Sequence, residues 1–339
     1  MTLRLITAGE SHGPGLTCIV EGVPAGLELD REAIDRDLAR RQLGHGRGGR
    51  MKIETDKADV TAGVRHGKTL GGPICLDVVN ADFENWFDRM NPWPVEAEID
   101  EVHLPRPGHA DLPGAWKYGF TDVRNVLERA SARETAARVA GGAVAKAILQ
   151  AVGVEVRSHV VQIGTVLAPE QSDLALSDFD SVDESPVRCL DADASAAMVE
   201  EINVLRKKNE SIGGTFEVRV FGLIPGLGSH VSWEDRLDGR LAQAVMSIQA
   251  IKGVGIGEGF DLAGKPGSEA HDEIFHSPER GWFRTTNRAG GLEGGMTNGE
   301  DLVVRAAMKP LPTLTKPLQS VDISTLEPSE ALRERTDSC

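Results

Sequence analysis

The stretch T215-FEVRVFG-L223 sets apolar Phe216, Val218 and Val220 against polar Thr215, Glu217 and Arg219, the two-residue period of a half-buried strand. Residues 154–161 repeat the pattern, and Leu302 to Met308 reads as a further strand, stopped by K309-PLP-T313. Toward the N-terminus, residues 3–7 and 16–20 read as strands around the turn-rich G9-ESHGP-G15. Residues 51–55, 60–64 and 74–79 extend the set. Helical signals fall between them. Asp30 is an N-cap ahead of Ile34 and Leu38, with Gly44 just past the end. Ser131 and Glu134 form a capping box that opens an Ala-rich helix to about Val152, with Gly153 as its stop. Ser232 and Asp235 offer caps for a helix carrying Leu237, Leu241, Val245 and Ile248, halted by the glycines from Gly253. Strands and helices in mixed order, with several strands adjacent, predict an α+β fold with antiparallel sheets over a doubly wound one. Residues 165–195 read as a polar surface excursion, and no repeat or linker marks a domain boundary.

The 339 residues carry a net charge of −15, which argues against a nucleic-acid partner because no long basic stripe covers phosphates. The N-terminal MTLRLITAGE lacks a signal-peptide core, and no run of 18 apolar residues occurs, so a soluble, non-membrane protein is expected. Cys18, Cys75, Cys189 and Cys339 are scattered without C-x-x-C spacing and read as reduced cytosolic thiols. No H-E-x-x-H occurs and the nine histidines lack metal-ligand spacing, so no metal is expected.

Against that acidic background, purposeful basic groups concentrate in two stretches. Leu38 to Lys52 holds Arg40, Arg41, Arg47, Arg50 and Lys52 with no acid, and His103 to Arg133 contains H103-LPRPGHA-D111 and then LERASAR. Glycines give the first its tight turns and prolines with Gly108 fix the path of the second, which suits a built anion pocket. Three familiar signatures sit in the wrong context. G44-HGRG-G49 follows a helix and precedes a strand, the reverse of a dinucleotide fingerprint. G63-VRHGK-T69 is one residue short of a phosphate loop. G9-ESH-G13 matches a nucleophile elbow, but only one short strand precedes it, which leaves a serine hydrolase using Ser11 as the alternative function.

What survives is a helix start at Ser131, flanked by Arg129 and Arg133, where free N–H groups and the dipole favour an anion. His109, held by Pro107 and Gly108 beside Arg106, and His12, between Ser11 and Gly13, are placed to move a proton near neutral pH. The glycine-dense loop from Thr286 to Glu300 lets backbone approach a flat ligand, and Lys309 stands at a strand end.

The ordered blocks GESHGPG, LARRQLGHGRGGR, RPGHAD, ERASARETAARVAGGAVAK, SIQAIKGVGIGEGF, TNRAGGLEGGMTNG and KPLPT span nearly the whole chain and resemble the chorismate synthase family. The resemblance implies a β-α-β sandwich with antiparallel sheets, acting as one domain over residues 1–339, and a cytoplasmic homotetramer. It implies a lyase that uses reduced FMN to eliminate phosphate from 5-enolpyruvylshikimate 3-phosphate, giving chorismate. NADPH would serve as an indirect reductant through an external flavin reductase. Residue by residue, Arg41, Arg47, Arg50 and Arg133 match substrate or NADP contacts. Arg129, Ala130, Ser131, Gln249, Ala250, Gly294, Lys309, Pro310, Leu311, Pro312, Thr313 and Arg335 match flavin contacts. His12 would protonate the departing phosphate, His109 would serve the flavin near N1, and Asp337 would assist proton removal through N5. Gln249 departs from the more usual Asn, and Thr336 from Ser or His. Relatives continue past the R-T-D motif, so the family's C-terminal tail is expected to be missing here.

Overall fold

A computed structural model describes residues 3–47, 55–171 and 173–333. They fall into two compact units, Met1–Ala151 with Leu205–Ser211 and Leu311–Cys339, and Val152–Val204 with Ile212–Pro310.

In the first unit, β1 (Arg4–Ala8), β2 (Gly15–Glu21), β3 (Asp59–Ala62) and β4 (Ile74–Val79) form an antiparallel sheet ordered β1-β2-β4-β3. The register sets Leu16 opposite Val78, Cys18 opposite Leu76 and Val20 opposite Ile74, so six buried side chains share one face. Among the described residues, four α-helices lie wholly in this unit: α1 (Arg31–Gln42), α2 (Asp111–Tyr118), α3 (Arg124–Leu127) and α4 (Thr135–Gln150). Ile34 and Leu38 of α1 and the small residues Ala136, Ala137, Ala140 and Val144 of α4 complete the core over that face. Each large aliphatic side chain buried there contributes about 1.5–3 kcal/mol. The closeness of α4 depends on Gly141, where a Cβ would stand 2.3 Å from Leu5 Cδ1 and 2.6 Å from Cys18 Sγ. Asp30 caps α1 as expected, accepting from the Glu32 N–H at 2.9 Å.

The second unit is built on β5 (Glu155–Ile163), β6 (Val166–Leu167), β7 (Gly214–Phe221), β8 (Ile251–Ile256) and β9 (Leu302–Met308), antiparallel throughout and ordered β8-β9-β7-β5-β6. One face packs Val218, Val220, Leu302, Val304, Val254 and Ile256 against Leu237, Leu241 and Val245 of the helix Leu237–Met246. The opposite face is also covered, and it carries charge: Glu217 and Arg219 are 1% and 4% exposed. Arg219 Nε (2.6 Å) and Arg305 Nε (2.8 Å) donate to the two oxygens of Glu217, and His159 Nε2 lies 3.4 Å away. Reading β7 as half-buried therefore located the strand but not its surroundings.

Four local expectations need correction. Ser131 does accept a bond at the helix start, from the Arg133 N–H at 3.3 Å, but it opens a 3-10 turn, Ala132–Glu134, ahead of α4. Glu134 does not complete a capping box; Thr7 and Arg138 take its carboxylate. Ser232 and Asp235 do not cap the following helix, whose N-cap position is Arg236 without a side-chain bond. The supposed surface excursion buries Phe179, Val182, Val187 and Cys189, with Phe179 edge-on to both His159 and Phe221, and a helix over Ala192–Lys207 follows. The expected strand at 51–55 falls on residues outside the described ones, save Thr55. No helix among the described residues is long and apolar enough to cross a membrane.

Candidate active site

The loop from Gly9 to Pro14 joins β1 to β2, two antiparallel strands, so Ser11 does not sit on the strand-to-helix turn that a nucleophile elbow requires. Ser11 is buried instead, its N–H donating to the Glu128 carbonyl at 3.0 Å. The same loop is held at several further points to the segment that precedes α4. Arg129 donates to the Gly9 (3.2 Å) and Thr7 (2.8 Å) carbonyls. Asn80 donates to the Glu10 (3.1 Å) and Gly13 (2.8 Å) carbonyls, and accepts from Arg133 Nε at 2.9 Å. A turn between strands and a helix start 120 residues later thereby become one rigid cluster.

His12 stands at its centre. Its backbone N–H and its Nδ1 both lie 2.9 Å from Glu128 Oε2, and Trp86 stacks on the imidazole at 4.0 Å. Burial by itself would raise the Glu128 carboxyl, but the bonds from His12 and the charge of Arg124, whose Nη1 is 2.9 Å away, hold it below the usual range. Arg133 is turned inward, with Nη1 at 2.7 and 2.8 Å from the two oxygens of Asp56. Arg41 reaches the same carboxylate at 3.4 Å and also donates to Thr135 Oγ1 and the Ala132 carbonyl. Arg47 is exposed, and Ala130 and Ser131 are half-buried at the rim of this cluster.

His109 has a carboxylate of its own. Asp111 is fully buried and accepts from the Arg106 backbone N–H (3.0 Å) and Nε (2.9 Å), and from His109 Nδ1. Hydrogen bonds from His109 and then Arg106 overcome the effect of burial and hold its carboxyl far below the ordinary value. Arg106 Nη2 is 3.0 Å from His109 Nδ1, but both carry protons toward Asp111, so the two donors share an acceptor and are not bonded to each other.

In the second unit, Gln249 and Ala250 are half-buried just before β8, and the Lys309 N–H closes onto the Ala250 carbonyl at 3.0 Å. Ala250 has φ +67°, a left-handed conformation that a residue with a Cβ adopts at a cost. Burial and the like charge of Lys252 pull the Lys309 ammonium below its ordinary value. The glycine-dense loop proves to have an internal reason for most of its glycines. At Gly257, just past the end of β8, a Cβ would stand 2.2 Å from the Arg288 carbonyl and 2.5 Å from the Gly290 nitrogen, so the loop and the turn after β8 meet backbone to backbone. Gly294 is different: it sits exposed at the tip of the hairpin Leu292–Glu293/Met296–Thr297, with open space around a Cβ.

The model of the family described as chorismate synthase matches residues 3–339. The chain belongs to the chorismate synthase family. It is 57% identical to the chorismate synthase of Geobacillus kaustophilus over 341 residues, covering 99% of this chain and 88% of that one. It is 58% identical to the chorismate synthase of Desulforudis audaxviator at 99% and 87% coverage. A crystal structure of a chorismate synthase superposes with a TM-score of 0.78 at 45% identity, covering 92% of this chain and 86% of that one. The α+β class with antiparallel sheets is thus the family's, and the activity is that of a lyase in aromatic amino-acid biosynthesis.

Of the residues that the chorismate synthase resemblance singles out, His12, Arg41, Arg129, Ala130, Ser131 and Arg133 are gathered around the start of α4. His109 belongs to the Arg106–Asp111 cluster at the start of α2. Gln249, Ala250, Lys309 and Pro310 lie together in the second unit, while Leu311, Pro312 and Thr313 continue into the first, where the Leu311 carbonyl accepts from Ser211 Oγ at 2.7 Å. Arg50, Arg335 and Asp337 lie outside the described residues. Sequence reasoning passed over Asp56, Asn80, Trp86, Glu128 and Asp111. For two of these a signal existed: Asp111 and Glu128 are two of the three acids, with Asp122, embedded in the basic stretch from His103 to Arg133.

Proposed function

We propose that this member of the chorismate synthase family, over residues 1–339 as one catalytic domain, converts 5-enolpyruvylshikimate 3-phosphate to chorismate by 1,4-anti elimination. The observation that carries the reading is the cluster at the start of α4, where a proton-carrying imidazole, His12, is fixed beside Arg129, Ser131 and Arg133. Such a cluster suits a substrate that bears a phosphate and two carboxylates.

In this reading the C3–O bond breaks with its electron pair on the phosphate, the C6 hydrogen leaves as a proton, and the ring gains a double bond. His12 gives a proton to the departing phosphate, while Arg41, Arg47, Arg50 and Arg133 surround the anions; Arg133 also fixes the loop through Asn80. Asp337 assists removal of the C6 proton. His109, buttressed by Asp111, presents its ring to the cofactor.

The cofactor is proposed to be reduced FMN. The donor set fits: Lys309 and Lys252 are like charges that an anionic phosphate would relieve, and Gly294 leaves room for a flat ring. Arg129, Ala130, Ser131, Gln249, Ala250, Gly294, Lys309 to Thr313, and Arg335 would hold it. When bound, reduced flavin supplies electron density to the reacting ring without net redox change. Dependence on NADPH through an external flavin reductase, a homotetrameric assembly and a cytoplasmic location belong to the same proposal.

The test is an anaerobic assay with chemically reduced FMN and the phosphorylated substrate. Chorismate and inorganic phosphate should form together. Substrate bound and released unchanged, or phosphonate labelling at Ser11, would refute the reading.

A further inference from the structure

His12 is held more completely than a proton donor by itself requires. We propose that Glu128 is a positioning residue for His12, fixing the imidazole proton on Nδ1 so that Nε2 exchanges protons with the departing phosphate. This rests on the proposed role of His12 and extends it to a residue two places before the flavin-matching Ala130.

Glu128 is placed only to accept. Its side chain is 2% exposed, at the end of α3, and both oxygens face donors: Oε2 the His12 N–H and Nδ1, Oε1 the Arg124 Nη1 at 2.9 Å and Nδ1 at 3.1 Å. A carboxylate so surrounded stays ionised and can only accept. Nδ1 must then be the donor, and the neutral ring has its lone pair on Nε2. Orientation is fixed as well. Trp86 lies against the ring at 4.0 Å with planes 26° apart, and the Arg124 guanidinium, 5.0 Å from the Trp86 centroid, backs the indole on the way to Glu128. Carboxylate, imidazole and reacting atom form the sequence by which a buried acid sets tautomer and direction without itself taking the proton. In the reaction, the doubly protonated ring gives its Nε2 proton to a phosphate oxygen as the C–O bond breaks. It is left as the Nδ1–H form that Glu128 already holds, and solvent returns the proton.

Two measurements on the full chain decide the matter. In nitrogen-15 spectra of histidine-labelled protein, with His12 assigned by its loss in His12→Gln, the neutral ring should show a protonated Nδ1 and a bare Nε2. The opposite signature overturns the proposal, and this needs no variant at Glu128. In the anaerobic assay, Glu128→Gln should lower kcat by about 10- to 1000-fold while KM moves by less than about threefold. An amide cannot satisfy both Arg124 and His12, because it offers one acceptor where the carboxylate offers two. A kcat within about twofold of the parent overturns the proposal. If His12→Ala turns over normally, the proton-donor role fails and the positioning role with it. If His12→Ala is inactive but Glu128→Gln is not, only the positioning role fails.

Discussion

Arg133 Nη1 sits 2.7 and 2.8 Å from the two oxygens of Asp56, joining side chains that are 2% and 0% exposed and 77 positions apart. Arg133 therefore has a structural duty as well as its proposed role at the substrate. A buried carboxylate that loses its guanidinium is costly, and Arg41 at 3.4 Å offers partial compensation only. Arg133→Met should lower unfolding free energy by about 3–5 kcal/mol, measured by denaturant titration. Arg133→Met with Asp56→Leu should recover a large part of that loss. A double variant no better than the single one would mean that the pair is not what holds the loop.

That pair also shows where sequence reading stops. Residues 302–308 and the cap at Asp30 are legible to the residue, and β7 to within two residues at its ends, because each depends on neighbours in the chain. Which groups partner Arg133, Arg129 and His12 depends on contacts across about a hundred residues, which no local pattern records. Even the β7 alternation misled about environment. The polar set Glu217 and Arg219 is the buried one, since opposite charges on neighbouring strands satisfy each other. The glycines of 286–300 suggest a close-lying ligand from sequence, whereas Gly290 and Gly291 are needed for backbone packing and Gly294 stands clear.

The two histidines, each backed by its own carboxylate, should behave as proton-handling groups. His12→Ala and His109→Ala are expected to cut turnover about 10²–10⁴-fold with much smaller changes in substrate affinity. Steady-state kinetics under anaerobic conditions read both. Near-normal turnover in a folded variant would reduce that histidine to a structural part.

Gly257 and Gly294 should respond differently to the same methyl group. At Gly257 the new Cβ meets the backbone of residues 288–290, so Gly257→Ala should cost about 2–4 kcal/mol of stability. Gly294→Ala meets nothing and should cost only the about 1–2 kcal/mol of a left-handed alanine at φ +59°. If Gly294 borders the flavin, its variant should nonetheless bind FMN more weakly, as fluorescence titration would show. Unchanged FMN affinity would remove Gly294 from the cofactor site.

Glu217 should make stability depend on acid. Burial would raise its carboxyl, but hydrogen bonds from His159, Arg219 and Arg305 outweigh that and hold it at about 2, against an ordinary value of 4.5. A folded-state value below the unfolded one contributes stability above the unfolded value, and the contribution is lost as pH falls through the folded value. The gap corresponds to about 3 kcal/mol, present in full near neutrality and disappearing between about pH 4.5 and pH 2. Asp111 and Glu128 are held down in the same sense, so the parent's acid slope alone does not isolate Glu217. The difference between parent and Glu217→Gln does. The variant should be less stable at pH 7, where Arg219 and Arg305 lose their buried counter-charge, and the two stability curves should converge as pH falls toward 2. Parallel curves across that window would show that Glu217 gains nothing from its ionised form and that its arginines are balanced elsewhere.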